Sequence, residues 1–154
     1  MVGWARSIWY RINIGLAGRL RHADAAVPLA EFAWGLEVHY HSLGGTLARR
    51  VVGDAGQQRA AFKAAGAGGA LDLMAWLDPE QVNLPRRLDR YSTPALNREH
   101  YFWLAAFLAE DQALPGEEAW PLGVRHVLRG AATSARVAAK YPALAERYRR
   151  LCIA

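Results

Sequence analysis

The sequence predicts a mostly helical α+β domain, with several helices packed around a central buried helix and a small antiparallel β-hairpin or sheet. Three observations predict it. Residues 101–109 read YFWLAAFLA, nine residues without a charge. That run is about half of the roughly 20 residues a membrane-spanning helix needs, so its place is inside the domain. Apolar positions recur at helical spacing towards both ends of the chain, and the period drops to two from residues 71–77 onward, through Tyr91.

The composition suits one domain, residues 1–154. Hydrophobic residues make up 53% of the chain and charged residues 21%, a globular balance. A chain of this size buries about 68–70% of its unfolded surface and needs no staple. Cys152 is the only cysteine, so no internal disulfide forms. This suits a reducing compartment, and a cytoplasmic location is expected. Arg6, Arg11 and Arg19 interrupt the N-terminal region, which lacks the pattern of a secretory signal.

Taken in order, Trp4, Ile8, Ile12, Leu16 and Leu20 form an i,i+4 stripe, which predicts a first helix with its arginines largely off the stripe. Pro28 fits the first turn of a second helix over 28–43, with Leu29, Phe32, Ala33, Leu36 and Tyr40 inward. Gly44 and Gly45 stop it. A short strand is predicted over 47–52, a short helix over 57–65 around Phe62, and a GAGG loop over 66–69. Leu71, Leu73, Ala75 and Leu77 then alternate, Asp78-Pro79-Glu80-Gln81 turns, and alternation resumes through Val82, Leu84, Leu88 and Tyr91. This is a β-hairpin. Pro85 lacks an N–H, so its strand lies at an edge or bends there.

The next helix is the central one. Ser92 or Thr93 caps it, Pro94 occupies the first turn, and Leu96, His100, Leu104, Phe107 and Leu108 line one face. Phe102, Trp103, Ala105 and Ala106 cover much of the rest. A helix apolar nearly all round is surrounded by other elements, here the hairpin and the terminal helices. A loop over 114–121 leads to helices over 122–140 and 142–151, broken at Tyr141-Pro142.

The net charge of +5 is unevenly placed. Residues 1–21 carry four arginines and no acid. Residues 125–150 carry Arg125, Arg129, Arg136, Lys140, Arg147, Arg149 and Arg150 against Glu146 alone. The residues between are therefore net acidic. Basic ends on an acidic middle predict helices that pack against the middle and complement its charge; the same pattern is open to an acidic partner or a phosphate backbone.

No catalytic constellation is visible. His39 and His41 diverge on a helix, and there is no His-Glu-x-x-His and no cysteine pair for a metal. Gly66-Ala67-Gly68-Gly69 lacks the Lys-Ser/Thr of a phosphate loop. No Gly-x-Ser-x-Gly occurs. Glu110-Asp111 and Glu117-Glu118 fall at a helix end and in a loop, where solvation is the expectation. No cofactor and no enzyme activity are expected. No helix-turn-helix, ribonucleoprotein or zinc-finger pattern supports nucleic-acid binding.

With the hairpin and buried helix placed, the run LPRRLDRYSTPALNREHYFWLAAFLA (84–109) resembles the N-terminal region of the NorD/CbbO family, von Willebrand factor A-domain partner proteins of MoxR-type AAA+ ATPases. The resemblance rests on Leu84-Pro85, Leu88-Asp89, Leu96-Asn97-Arg98, Tyr101 and Trp103-Leu104-Ala105-Ala106. SLGG (42–45) and TSARVAAKYPALAERYRRL (133–151) are similar to flanking parts of the family pattern. His100 and the acid-rich 110–118 stretch have no counterpart in it.

The resemblance implies a non-catalytic adaptor domain, seated on a hexameric MoxR-type ring, with the full-length protein presenting a client enzyme. That client is Rubisco in the CbbO type and nitric oxide reductase in the NorD type. Nothing in these residues separates the two; the Rubisco activation reading is preferred. The family's C-terminal von Willebrand factor A domain and its Asp-x-Ser-x-Ser motif are absent from the sequence, so an excised N-terminal domain is expected. Expected docking residues are Trp4, Arg6, Trp9 and Arg11 on the first helix, then Arg86, Arg87 and Arg90 at the hairpin edge. Family-motif residues are expected to determine the fold. The alternative is a basic nucleic-acid-binding or membrane-surface helical module.

Overall fold

The computed structural model describes residues 21–53 and 75–154. Five strands and four α-helices lie within them: β1 (Val27–Pro28), α1 (Ala33–Ser42), β2 (Arg50–Gly53), β3 (Trp76–Leu77), β4 (Gln81–Leu84), β5 (Arg87–Leu88), α2 (Pro94–Ala109), α3 (Leu122–Lys140) and α4 (Pro142–Ile153). The fold is α+β and mostly helical, as the sequence predicts.

Helix α2 starts where its sequence says it should. Thr93 is extended, its side-chain oxygen accepts from the Leu96 N–H, and Pro94 occupies the first turn. Thr93, and not Ser92, is the cap. The helix packs on two sides. Tyr101, Ala105 and Leu108 join a core with Val27, Leu29, Leu36, Tyr40, Val82, Leu84 and Leu88. Trp103 and Ala106 join a second core with Tyr91, which precedes α2, Val137 of α3, and Leu144 and Leu151 of α4.

This divides the predicted burial face. His100 and Leu108 are buried as expected, whereas Leu96, Leu104 and Phe107 are half-buried. Asn97, Tyr101 and Trp103 lie deeper than they do. The reason is the two cores: the deepest positions are those aimed into either cluster, on the flanks of the single predicted stripe.

The predicted helix over 28–43 is shorter. Residues 27–28 form a strand and Leu29–Glu31 a 3₁₀ turn, and α1 begins at Ala33. Pro28 is therefore not at a helix start. Val27 and Pro28 pair antiparallel with Leu88 and Arg87 in a two-stranded ribbon, where a residue without an N–H is tolerated. The helix ends as expected at Gly44, which adopts a φ of +95°. Gly45 is required for another reason: a Cβ there would meet the Tyr40 ring at 2.3 Å.

The hairpin is present but short. β3 pairs antiparallel with β4, Trp76 opposite Asn83 and Leu77 opposite Val82. Asp78 closes the turn, its carboxylate accepting from the Glu80 and Gln81 N–H groups and from Asn83 Nδ2. β4 is not an edge strand. It lies between β3 and β2, pairing in parallel with β2 from Arg50–Gln81 to Gly53–Leu84. Pro85 bends the chain out of this sheet, and β5 continues in the separate ribbon with β1. The predicted strand over 47–52 is observed in part: β2 begins at Arg50 and runs to Gly53. The expectations for residues 1–20, 57–65 and 66–69 and for the start of the first hairpin strand lie outside the described residues.

The two C-terminal helices match the expectation at their junction. α3 ends at Lys140, and α4 begins at Pro142 and runs to Ile153.

Candidate functional site

The residues that carry the family resemblance are placed first by their backbone. Pro85 turns the chain from β4 to β5, and Tyr101 donates its hydroxyl hydrogen to the Pro85 carbonyl at 2.7 Å. The Val27 carbonyl lies further off, at 3.4 Å. Asn97 is fully buried. Its Oδ1 accepts from the Tyr91 N–H at 3.0 Å, and its Nδ2 donates to the carbonyls of Ala25 (2.8 Å) and Tyr91 (3.0 Å). One side chain thus closes the loop into α2 and holds the chain entering β1.

Leu84 and Leu88 are fully buried, and Asp89 accepts the His22 N–H through its carbonyl. Trp103 stacks on Tyr148 of α4, with ring centroids 4.0 Å apart. Arg98 is exposed and Leu104 half-buried. The buried members of the block are brought together as packing.

The candidate docking residues divide. Arg86 and Arg87 are exposed, donating to the carbonyls of Gly53 and Ala23. Arg90 is half-buried, its guanidinium 6.0 Å from the Tyr91 ring centre. Trp4, Arg6, Trp9 and Arg11 lie outside the described residues.

Two features escaped the sequence reading. The first is an exposed apolar pair on α1: Trp34 is 79% exposed and Val38 47%. Both fall off the inward stripe of that helix, and this is the signal that marks them. The second is the state of the acids after α2, for which solvation was the expectation. Glu110 and Glu117 are buried instead. Lys140 Nζ lies 2.6 Å from Glu110, and the Tyr141 hydroxyl reaches the same carboxylate at 2.9 Å. Arg129 grips Asp111 through Nε and Nη2, both at 2.7 Å, and reaches Glu117 at 2.9 Å. Arg125 donates to the carbonyls of Glu117 and Glu118.

The acids respond electrostatically. Burial raises the Glu110 pKa, but the Lys140 and Tyr141 hydrogen bonds and the Arg136 charge outweigh it, so the net shift is downward. The Leu114 N–H, with Arg129, holds Glu117 below the usual carboxylate range. Basic α3 thus complements acids of the middle of the chain, and Arg150 of α4 does the same with Glu99.

The histidines are separated. His41 Nε2 donates to the Arg49 carbonyl, and His39 meets Phe102 edge-on. His100 is buried against Tyr91 with Nδ1 unpartnered, and burial, with the Arg90 charge, pushes its pKa down to about 3. Among the described residues no group of three or more His, Cys, Asp or Glu could hold a metal ion, and no helix is long and apolar enough to cross a membrane. Comparison with protein-family models, curated proteins and solved structures finds no match for the chain.

Proposed function

We propose that the chain is a non-catalytic adaptor domain that docks on a hexameric MoxR-type AAA+ ATPase ring, in a protein of the NorD/CbbO kind. The observation that carries this reading is the use of residues 84–109. Of the residues that carry the resemblance, Arg98 is exposed, Asp89, Leu96 and Leu104 are half-buried, and Leu84, Pro85, Leu88, Asn97, Tyr101 and Trp103 are buried. Their spacing is the one that closes this core, so the shared pattern has a physical reason to recur in one fold. Surface remains for contact: exposed Arg86 and Arg87, and an apolar pair on α1. Tryptophan and arginine are both residue types enriched where proteins dock.

The client is proposed to be Rubisco in preference to nitric oxide reductase. The test is co-sedimentation of the chain with its cognate MoxR-type ring in the presence of ATP. Co-migration at a fixed ratio is expected. A chain that stays at its own sedimentation rate at tens of micromolar would overturn the proposal.

A further inference from the structure

Between α2 and α3 the chain runs back along α3 through residues 111–120. Among the described residues, this stretch buries one residue, Glu117; Leu114 and Trp120 are half-buried, and neither core includes a member of it. A segment with so little apolar burial is held by whatever pairs its polar groups.

Helix α3 supplies those pairs. Arg125, Arg129, Arg136 and Lys140 stand four, seven and four residues apart, which puts them on one face of the helix. Arg129 is the central clasp. It holds Asp111 through Nε and Nη2, both at 2.7 Å, and Glu117 Oε1 through Nη1 at 2.9 Å. Arg125 donates to the carbonyls of Glu117 and Glu118.

The ends of the stretch are fixed separately. Glu110 is tied to the Ala106 carbonyl through its N–H and to Lys140 and Tyr141 through its carboxylate. The Pro121 carbonyl accepts the Arg125 N–H at 3.0 Å. Between these anchors the stretch is closed on itself. Glu117 Oε2 accepts the Leu114 N–H at 2.9 Å, the Glu117 N–H donates to the Leu114 carbonyl, and the Trp120 N–H donates to the Glu117 carbonyl. One Glu117 oxygen thus shapes the loop while the other ties it to Arg129.

We propose that residues 111–120 form a strap, clasped by Arg129, that opens from α3 as a unit while both cores stay closed. Its carboxylates and the guanidinium groups regain hydration on opening, so release costs little beside the parting of a core. Opening uncovers Arg125 and Arg129 and turns an internally neutralised helix face into a basic one. The proposal does not depend on the ATPase reading.

Hydrogen exchange on the full chain tests it. The amides of Leu114, Glu117, Ala119 and Trp120 are expected to be protected relative to a free peptide, yet to exchange together at least about tenfold faster than those of residues 101–108 in α2. In Arg129→Gln the strap amides should speed up at least about tenfold again, while the α2 amides keep their rates. Should Arg129→Gln also unprotect α2, Asp111→Asn with Glu117→Gln takes its place with the same expectation. Strap amides as protected as α2, or as open as a free peptide, in the unaltered chain would overturn the proposal. So would strap rates that the variant leaves unchanged. Loss of α2 protection in both variants would make strap and cores a single unit, which also overturns it.

Discussion

The Tyr101 hydroxyl donates to the carbonyl of Pro85 at 2.7 Å, across sixteen residues of chain. That bond joins the central helix to the point where the chain leaves one sheet for the other. Asn97, one turn earlier on the same helix, bonds the backbone of Tyr91 and Ala25. Together they fix how the β-ribbon sits on α2.

Tyr101→Phe should therefore cost about 1–2 kcal/mol, since it leaves a buried carbonyl without its donor. Asn97→Leu should cost more, on the order of 3 kcal/mol, because both a buried N–H and two carbonyls lose their partner. Asn97→Asp should not rescue it: a carboxylate turns an acceptor towards the Ala25 and Tyr91 carbonyls. Urea unfolding midpoints check all three, and an Asn97→Leu chain as stable as the original would contradict the assignment.

Trp103→Ala should cost roughly 3–5 kcal/mol, a large-to-small change in a packed core. Trp103 is 6% exposed and stacked on Tyr148. Phe107 is only half-buried, so Phe107→Ala should cost clearly less. Thermal unfolding of the two variants side by side gives the order, and the reverse order would misplace α2 between its two cores.

His100 sets a pH dependence of known sign. Its folded pKa lies near 3, below the ordinary histidine value of about 6.5. The unfolded chain therefore takes up a proton that the folded chain refuses, and stability falls as pH drops from about 6.5 towards 3. The slope from this residue is at most about 1.4 kcal/mol per pH unit. His39 and His126, also shifted down by burial, add in the same direction. Glu110 and Glu117 have depressed pKa values, so the stability they contribute is lost as pH falls from the usual carboxylate range towards their lower folded values. Denaturation from pH 6.5 to 5 isolates the histidines, and His100→Leu should flatten the slope there. An unchanged slope would mean that His100 takes up its proton in the fold as it does in the unfolded chain.

The helices were legible because their signals are local. Thr93-Pro94 opens α2 and Tyr141-Pro142 separates α3 from α4 by rules that act within a few residues. The strands were less so. β4 lies between two partners because β2 pairs with it in parallel from thirty-one residues away, and nothing in QVNL states that. Pro28 was ambiguous for the same reason: its φ of −80° suits a helix start and a strand alike, and Leu88 decides. The acids at 110 and 117 read as solvated because the cations that hold them, Lys140 and Arg129, lie thirty and twelve residues along the chain. What Pro85, Asn97, Tyr101 and Trp103 touch is added by the structure alone. Trp34 was passed over because an outward tryptophan breaks no helical period.

The most direct test of the adaptor reading is the association kinetics of the chain with the cognate MoxR-type ring, measured at two salt concentrations. Exposed charges at a docking rim act mainly on association rate and its salt dependence, while desolvated aromatics act on dissociation. Wild-type chain should bind, and more slowly at high salt. Arg6→Glu with Arg11→Glu should bind more slowly still and lose most of the salt dependence, and Trp9→Ala should dissociate faster with its circular dichroism unchanged. Arg86→Glu with Arg87→Glu reports the hairpin edge in the same way. A folded chain that shows no association with the ring at either salt concentration would contradict the account.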